Sequence, residues 1–117
     1  MSDGNAEIRD EVRERMERFG FPGTLLPANM TASEFDEGTG KFTVTLTRNV
    51  QLDVAGIPVH YGTKVSGIIS NGRIDELAGV QAKKGLWVKV GAILAEGGNL
   101  VFKAGPFKKS VPRSAWD

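Results

Sequence analysis

LLPANMTASEFDEGTGKFTVTL, residues 25–46, is the stretch that decides the fold class of this chain. After Pro27 it predicts a first strand, a tight turn at Glu37-Gly38-Thr39-Gly40 and a second strand. In the second strand Phe42, Val44 and Leu46 alternate with polar residues, which is the period-two pattern of a sheet that buries one face. The stretch therefore predicts an antiparallel hairpin, but it carries no catalytic signature.

Short apolar runs separated by turn residues follow this hairpin. The dipeptides Asn71-Gly72 and Gly97-Gly98 have the composition of two-residue hairpin turns. Glycines inside the run 59–69 predict a bulge or a kink in a strand. We therefore predict an all-β fold, an antiparallel β-sandwich or flattened barrel of about seven to nine meandering strands, whose body spans residues 31–114.

The densest apolar run is Leu86–Leu94. Its apolar residues fall on both parities, which is typical of a strand that is covered on both faces. We predict a central strand here, with Trp87 in the core. This placement argues against binding of nucleic acid, because proteins that bind single strands need exposed aromatic side chains beside their basic residues.

Residues 5–19 predict one N-terminal helix packed on the sheet. Ile8, Val12 and Met16 recur at every fourth position, and charged residues of both signs lie between them. Asn5 is a suitable N-cap, and a glycine follows the end of the pattern. The balance of acidic and basic residues on the polar face favours a lid on the sheet over a helix that lies on a membrane.

The composition suits one domain over residues 1–117, since 40% of the 117 residues are hydrophobic and 25% are charged. Nine acidic residues and four arginines occur in 1–37, whereas five acidic and eleven basic residues follow. Cysteine is absent, which excludes disulfides and cysteine ligands. No apolar stretch has the length of a membrane span or the character of a secretory signal, so we predict a cytoplasmic protein.

Histidine occurs once, at His60. One imidazole without cysteines does not make a typical zinc site, so we predict no metal and no cofactor. A serine-hydrolase triad would combine His60 with Ser66 or Ser70 and with Asp53, but no G-x-S-x-G turn surrounds either serine. We therefore predict no catalytic residues.

Two sets of residues are candidates for binding. The alternating apolar residues either form a packed core or line a slot that holds a lipid or another amphipathic ligand. The candidates for such a slot are Phe42, Val44, Leu52, Val54, Ile69, Leu86, Val88, Val90 and Phe102. The candidates for contact with an anionic lipid or polysaccharide surface are Lys83, Lys84, Lys89, Lys103, Lys108 and Lys109.

Several short segments occur in an order that resembles a known family. They are Phe21-Pro22, Gly23–Pro27, Phe35–Phe42, Val65–Ile69, Gly72–Ile74, Leu77–Val80 and Leu86–Val90. In this order they resemble the plant family catalogued as domain of unknown function 538, over nearly the whole chain. The segment 101–110 resembles the intracellular branch of that family.

This resemblance implies a β-sandwich with an N-terminal helix. The family has been likened to bactericidal/permeability-increasing proteins, which hold lipid in an apolar groove, and hydrolysis of chlorophyll esters has been proposed for it. Three functions are therefore open. We favour a binding module for a lipid or amphipathic ligand; the alternatives are a protein–protein interaction or regulatory domain without a small ligand, and a weak ester hydrolase.

Overall fold

The computed structural model describes residues 5–116, and within them it contains one α-helix, nine strands and two short 3-10 helices. The helix is α1 (Ala6–Arg18), and the 3-10 helices are Gly23–Leu25 and Arg113–Trp116. The strands are β1 (Met30–Phe35), β2 (Lys41–Leu46), β3 (Val50–Val54), β4 (Ile57–Ser70), β5 (Arg73–Lys84), β6 (Leu86–Lys89), β7 (Ala92–Glu96), β8 (Asn99–Ala104) and β9 (Phe107–Pro112). The predicted N-terminal helix and the predicted hairpin of β1 and β2 are confirmed.

The strands form one antiparallel sheet, whose main path runs β1-β2-β4-β5-β7-β8-β9. The short strand β3 pairs with the first part of β4, and β6 pairs with the last part of β5. The predicted all-β antiparallel fold is thus confirmed. The strands β4 and β5, with 14 and 12 residues, are long enough to pair with different neighbours at their two ends. All the strands therefore belong to one continuous sheet.

The ribbon of β4 and β5 bends where its register changes. Tyr61 pairs with Val80 and Ser66 pairs with Ala78, so β4 contains extra residues between these two pairs. Gly79 has a φ of +91°, and a Cβ at this position would collide with the carbonyl oxygen of Lys64. Only glycine fits such a close approach of two backbones. The predicted irregularity in residues 59–69 is therefore confirmed as a bulge that involves both strands.

The helix α1 packs on the sheet through its apolar stripe. Val12 and Met16 are each 3% exposed and belong to the same hydrophobic cluster as the strands. The side chain of Asn5 accepts hydrogen bonds from the N–H groups of Glu7 and Ile8, which confirms the predicted N-cap. Within the described residues, no helix has the length and apolar character needed to cross a membrane.

Two buried rings join the chain ends and loops to the sheet. Trp116 stacks on Phe102, with ring centroids 5.5 Å apart. The hydroxyl of Tyr61 donates a hydrogen bond of 2.8 Å to the carbonyl oxygen of Leu25, in the loop that follows α1. Burial raises the pKa of Tyr61, because a phenolate loses its hydration inside the core.

The prediction for residues 86–94 is wrong in two respects. The run forms two strands, because the register changes along β5: Gln81 pairs with Lys89, whereas Arg73 pairs with Leu94. Trp87 is 40% exposed instead of buried. Apolar residues on both parities do not indicate two covered faces here, since β6 lies at an edge of the sheet.

Candidate functional site

A pocket of about 190 Å³ lies between the β5–β6 hairpin and the β8–β9 hairpin. Its first wall consists of the apolar residues Val54, Ile57, Val59, Ala82 and Val88, and its second wall consists of Phe102, Ala104, Phe107 and Val111. The two hairpins diverge beyond Gly91, whose N–H donates a hydrogen bond to the carbonyl oxygen of Lys103. The pocket is therefore a gap within the bent sheet that no strand fills.

Small side chains keep this gap open. Ala82 pairs with Val59 across β4 and β5, and Ala104 pairs with Phe107 across the β8–β9 hairpin. Protein interiors are close-packed, so a leucine or phenylalanine at either alanine would fill the space. The buried residues among the lining form an apolar floor, whereas the lysines and Phe107 are exposed.

Four exposed lysines complete the lining, namely Lys83, Lys84, Lys108 and Lys109. No aspartate or glutamate among the described residues lines the pocket. An apolar floor below charges of one sign suits an amphiphile with a negative head, because the chain leaves water while the head meets ammonium groups.

Two exposed aromatic side chains lie beside these lysines. Nζ of Lys83 lies 6.0 Å from the ring centroid of Trp87, and Nζ of Lys84 lies 5.4 Å from that of Phe107. His60 meets Trp87 edge-on, with ring centroids 6.0 Å apart. Of these aromatic side chains only Phe107 lines the pocket, whereas Trp87 and His60 lie outside the lining. Both lysine–aromatic distances are typical of cation–π contacts.

The nine predicted slot residues fall into different places. Those that line the pocket are Val54, Val88 and Phe102. Val54 and Phe102 also belong to the buried hydrophobic cluster, whereas Phe42, Val44, Ile69 and Val90 belong to it without lining the pocket. Leu86 is 79% exposed at the β5–β6 turn, beside the pocket. Of the six predicted surface lysines, Lys89 and Lys103 lie outside the pocket lining and the other four lie within it.

Leu52, the ninth predicted residue, lies in a second and more open cleft of about 430 Å³. Arg13 of α1 and Pro27 also line this cleft. The buried Nε of Arg13 has no hydrogen-bond acceptor among the described residues. The pocket between the hairpins is better enclosed and combines an apolar floor with charges of one sign, so it is the candidate site.

Sequence reasoning missed much of the pocket lining, namely Ile57, Val59, Ala82, Ala104, Phe107 and Val111. A partial signal was available in the turns, since Ala55-Gly56 and Gly105-Pro106 each join two apolar runs. These turns place Val54 opposite Ile57 and Ala104 opposite Phe107. No local sequence pattern shows that the β8–β9 hairpin lies near the strands β3, β4, β5 and β6, because these residues are far apart in the chain.

Strand geometry separates the residues considered for ester hydrolysis. His60 and Ser66 both lie on β4, and at about 3.3 Å per residue their Cα atoms are roughly 15–20 Å apart. Ser70 lies still further along the same strand. The ring of His60 contacts Trp87 instead of a serine hydroxyl. In residues 5–116, no group of three or more His, Asp or Glu side chains is placed to hold a metal ion.

Comparison with known proteins agrees with the family resemblance that the ordered segments of the sequence indicate. The family described as "Protein of unknown function, DUF538" matches residues 12–117. The chain is 30% identical over 112 residues to the uncharacterized protein At5g01610 of Arabidopsis thaliana. The alignment covers 95% of this chain and 65% of that protein, so the chain spans just under two thirds of the relative's length. Because the family model matches nearly the whole chain, this chain belongs to the DUF538 family.

Proposed function

We propose that this protein binds small anionic amphiphiles in the pocket between the β5–β6 and β8–β9 hairpins. The observation that carries the proposal is an apolar floor combined with four lysines and no acidic side chain in the described lining. In the bound state, an alkyl chain contacts Val59, Phe102 and Val111. The carboxylate, sulfate or phosphate head lies at the opening, near the lysines.

The size of the pocket limits the ligand. A volume of about 190 Å³ is below the roughly 300–1,000 Å³ that is usual for pockets of drug-sized ligands. The pocket therefore accepts a short chain or the end of a longer one, and the head stays outside. This supports an amphiphile with a single chain over a two-chain lipid that is enclosed completely.

Apolar contact supplies the affinity in this proposal, and the lysines supply the selectivity. Burial of apolar surface is worth roughly 25 cal/mol per Å², whereas an exposed ion pair contributes roughly 0–1 kcal/mol. Two amphiphiles with the same alkyl chain, one with an anionic head and one with a cationic head, should therefore differ in affinity by the sum of several small contributions from the lysines. The anion should bind more tightly at low salt, and added salt should reduce the difference.

Calorimetric titration with decanoate and with decyltrimethylammonium tests this function. Decanoate should bind with a negative heat-capacity change, the mark of apolar burial, and decyltrimethylammonium should bind at least about tenfold more weakly. The variant Ala104→Phe should lose decanoate binding, because the new ring occupies the pocket.

Ala32→Phe is the matched control, since Ala32 is exposed on β1 and lies outside the pocket. This variant should bind decanoate as the parent protein does. Decanoate binding that survives Ala104→Phe would place the ligand elsewhere and contradict the proposal. Absence of decanoate binding by the parent protein would also contradict it.

A further inference from the structure

Three turns lie together at the opening of the pocket. The β3–β4 turn at 55–56, the β5–β6 turn at Gly85 and the β8–β9 turn at 105–106 each adjoin residues that line it. A Cβ at Gly105 would lie 3.6 Å from the side chain of Val88, so the third turn lies beside β6, the strand that follows the second turn. We call the surface formed by 54–57, 83–88 and 104–109 the hairpin end.

Most of the exposed large hydrophobic side chains among the described residues lie at the hairpin end. Leu86 is 79% exposed, Phe107 is 44% exposed and Trp87 is 40% exposed, whereas Leu52 on β3 is the other such residue. An isolated exposed leucine is ordinary, but here Leu86, Trp87 and Phe107 lie at the ends of two neighbouring hairpins, with Trp87 on the other face of its hairpin from Val88. A partner that meets the hairpin end tip-first can contact all three, so they indicate a binding surface.

The charge at the hairpin end has one dominant sign. Lys83, Lys84, Lys108 and Lys109 line the pocket at this end, and Glu96 is the only acidic residue between positions 77 and 116. Asp53, next to the β3–β4 turn, is the exception along β3. The potential at this end therefore favours an anionic partner, and two copies of the hairpin end would repel each other.

We propose that the hairpin end docks on the surface of an anionic lipid bilayer. Leu86, Trp87 and Phe107 enter the headgroup region, where amphipathic aromatic rings are favoured. The lysines lie along these rings, with their stems over apolar surface and their ammonium groups toward anionic headgroups. Leu86, which is 79% exposed, favours lipid over a nucleic acid, because phosphates offer no apolar contact to an alkyl side chain.

Docking goes beyond the proposed function, since it uses exposed residues and does not require an occupied pocket. The opening of the pocket faces the bilayer in this orientation. An amphiphile then passes between the bilayer and the pocket without crossing water. This last step rests on the proposed function, whereas the docking itself does not.

Vesicle binding tests the docking directly. Vesicles of phosphatidylcholine with phosphatidylserine should sediment the protein, and vesicles of phosphatidylcholine alone should retain much less. Trp87 emission should move to shorter wavelength on the mixed vesicles as the ring leaves water. The variant Trp87→Phe should lose this shift, because Trp116, the other tryptophan, is buried. High salt should weaken the binding.

Charge reversal at the hairpin end provides the sharper comparison. Lys84→Glu combined with Lys108→Glu should reduce partition onto the mixed vesicles by at least about tenfold. Lys41→Glu combined with Lys64→Glu is the matched control, since both lysines are exposed and lie outside the hairpin end. The control should stay within about twofold of the parent protein.

Two variants at exposed leucines separate the insertion of apolar side chains into the bilayer from the electrostatic attraction of the lysines. Leu86→Ser should weaken vesicle binding, and Leu52→Ser, at the other exposed leucine, should not. Ala82→Phe fills the pocket from a position outside the hairpin end. It should keep vesicle binding while it loses decanoate, so failure of the pocket and failure of the docking give different results.

Four outcomes would overturn the docking proposal. The first is equal binding to neutral and mixed vesicles, and the second is unchanged Trp87 emission when the protein is bound to mixed vesicles. The third is a lysine double variant that binds mixed vesicles as well as its control does. The fourth is a shift of Trp87 emission in the absence of vesicles, either at raised protein concentration or on addition of a single-stranded nucleic acid.

Discussion

At the scale of single residues, Trp116 and Trp87 differ because one ring is enclosed and the other is not. Trp116 is 9% exposed and stacks on Phe102 at 5.5 Å. Trp87 is 40% exposed on the edge strand β6. The same residue type therefore belongs to the packed core at one position and to the exposed surface at the other.

Trp116→Ala should lower the free energy of unfolding by about 3–5 kcal/mol, because it removes a stacked, buried ring and leaves a cavity. Trp87→Ala should lower it by less than about 1 kcal/mol. Urea denaturation of both variants, followed by far-ultraviolet circular dichroism, measures the difference. Equal losses in the two variants would show that the ring of Trp87 is buried after all.

The single tyrosine gives the protein a dependence on alkaline pH. Because burial raises the pKa of Tyr61, the folded protein keeps the phenol protonated after the unfolded chain has ionised it. This contribution to stability is complete below pH about 10 and is lost as the pH rises above it. Tyr61→Phe removes that loss, but it leaves the carbonyl oxygen of Leu25 without its 2.8 Å hydrogen bond.

We expect Tyr61→Phe to be less stable than the parent protein by about 1–3 kcal/mol at neutral pH. The difference should shrink as the pH rises above about 10. Chemical denaturation of both proteins across this range measures it, and the absorbance of the phenolate follows the only tyrosine in the chain. A constant difference at every pH would mean that Tyr61 titrates as in the unfolded chain.

At the scale of the elements, the bulge in β4 and β5 gives the sheet its shape. Glu76 has a φ of +49°, and Gly79 has a φ of +91°, so the backbone of β5 leaves the extended region twice within four residues. The partner of β5 changes from β7 to β6 along the same stretch. The bend therefore creates both the exposed edge strand and the gap that forms the pocket.

Gly79→Ala should destabilise the protein by at least about 3 kcal/mol, because it combines an unfavourable φ with a collision against the carbonyl oxygen of Lys64. Gly85→Ala is the control, since its φ is +77° but a Cβ there meets no atom within 4 Å. The control should lose about 1–2 kcal/mol. Thermal unfolding of the two variants measures both losses, and equal values would mean that the bulge relaxes at no cost.

The hairpins were predictable because each depends on residues close in the chain. Alternation in β2 and the turn at 37–40 led to β1 and β2, and Asn71-Gly72 led to the turn between β4 and β5. The prediction of one central strand at Leu86–Leu94 failed because the pairing of these residues depends on the bulge in β5. An apolar pattern indicates that part of a strand is buried, but it does not show which of its residues other elements cover.

At the scale of the whole molecule, one continuous sheet and one helix enclose one hydrophobic cluster. The acidic residues are concentrated in 1–37, and the lysines are concentrated at the opposite end of the sequence. The fold gathers four of those lysines around a single pocket. The overall charge is +1, so it is this local gathering, and not the net charge, that distinguishes the candidate site.

The sequence by itself determined the fold class, the helix with its cap, the hairpin turns and the family, because all of these follow from local pattern or from the order of segments. Tertiary structure alone decided that Val54, Val88 and Phe102 line a pocket while Phe42, Val44, Ile69 and Val90 are buried away from it. The physical reason is that a strand's alternation fixes which side chains share a face. What that face meets is fixed by the bend at the bulge, which brings together hairpins from distant parts of the chain.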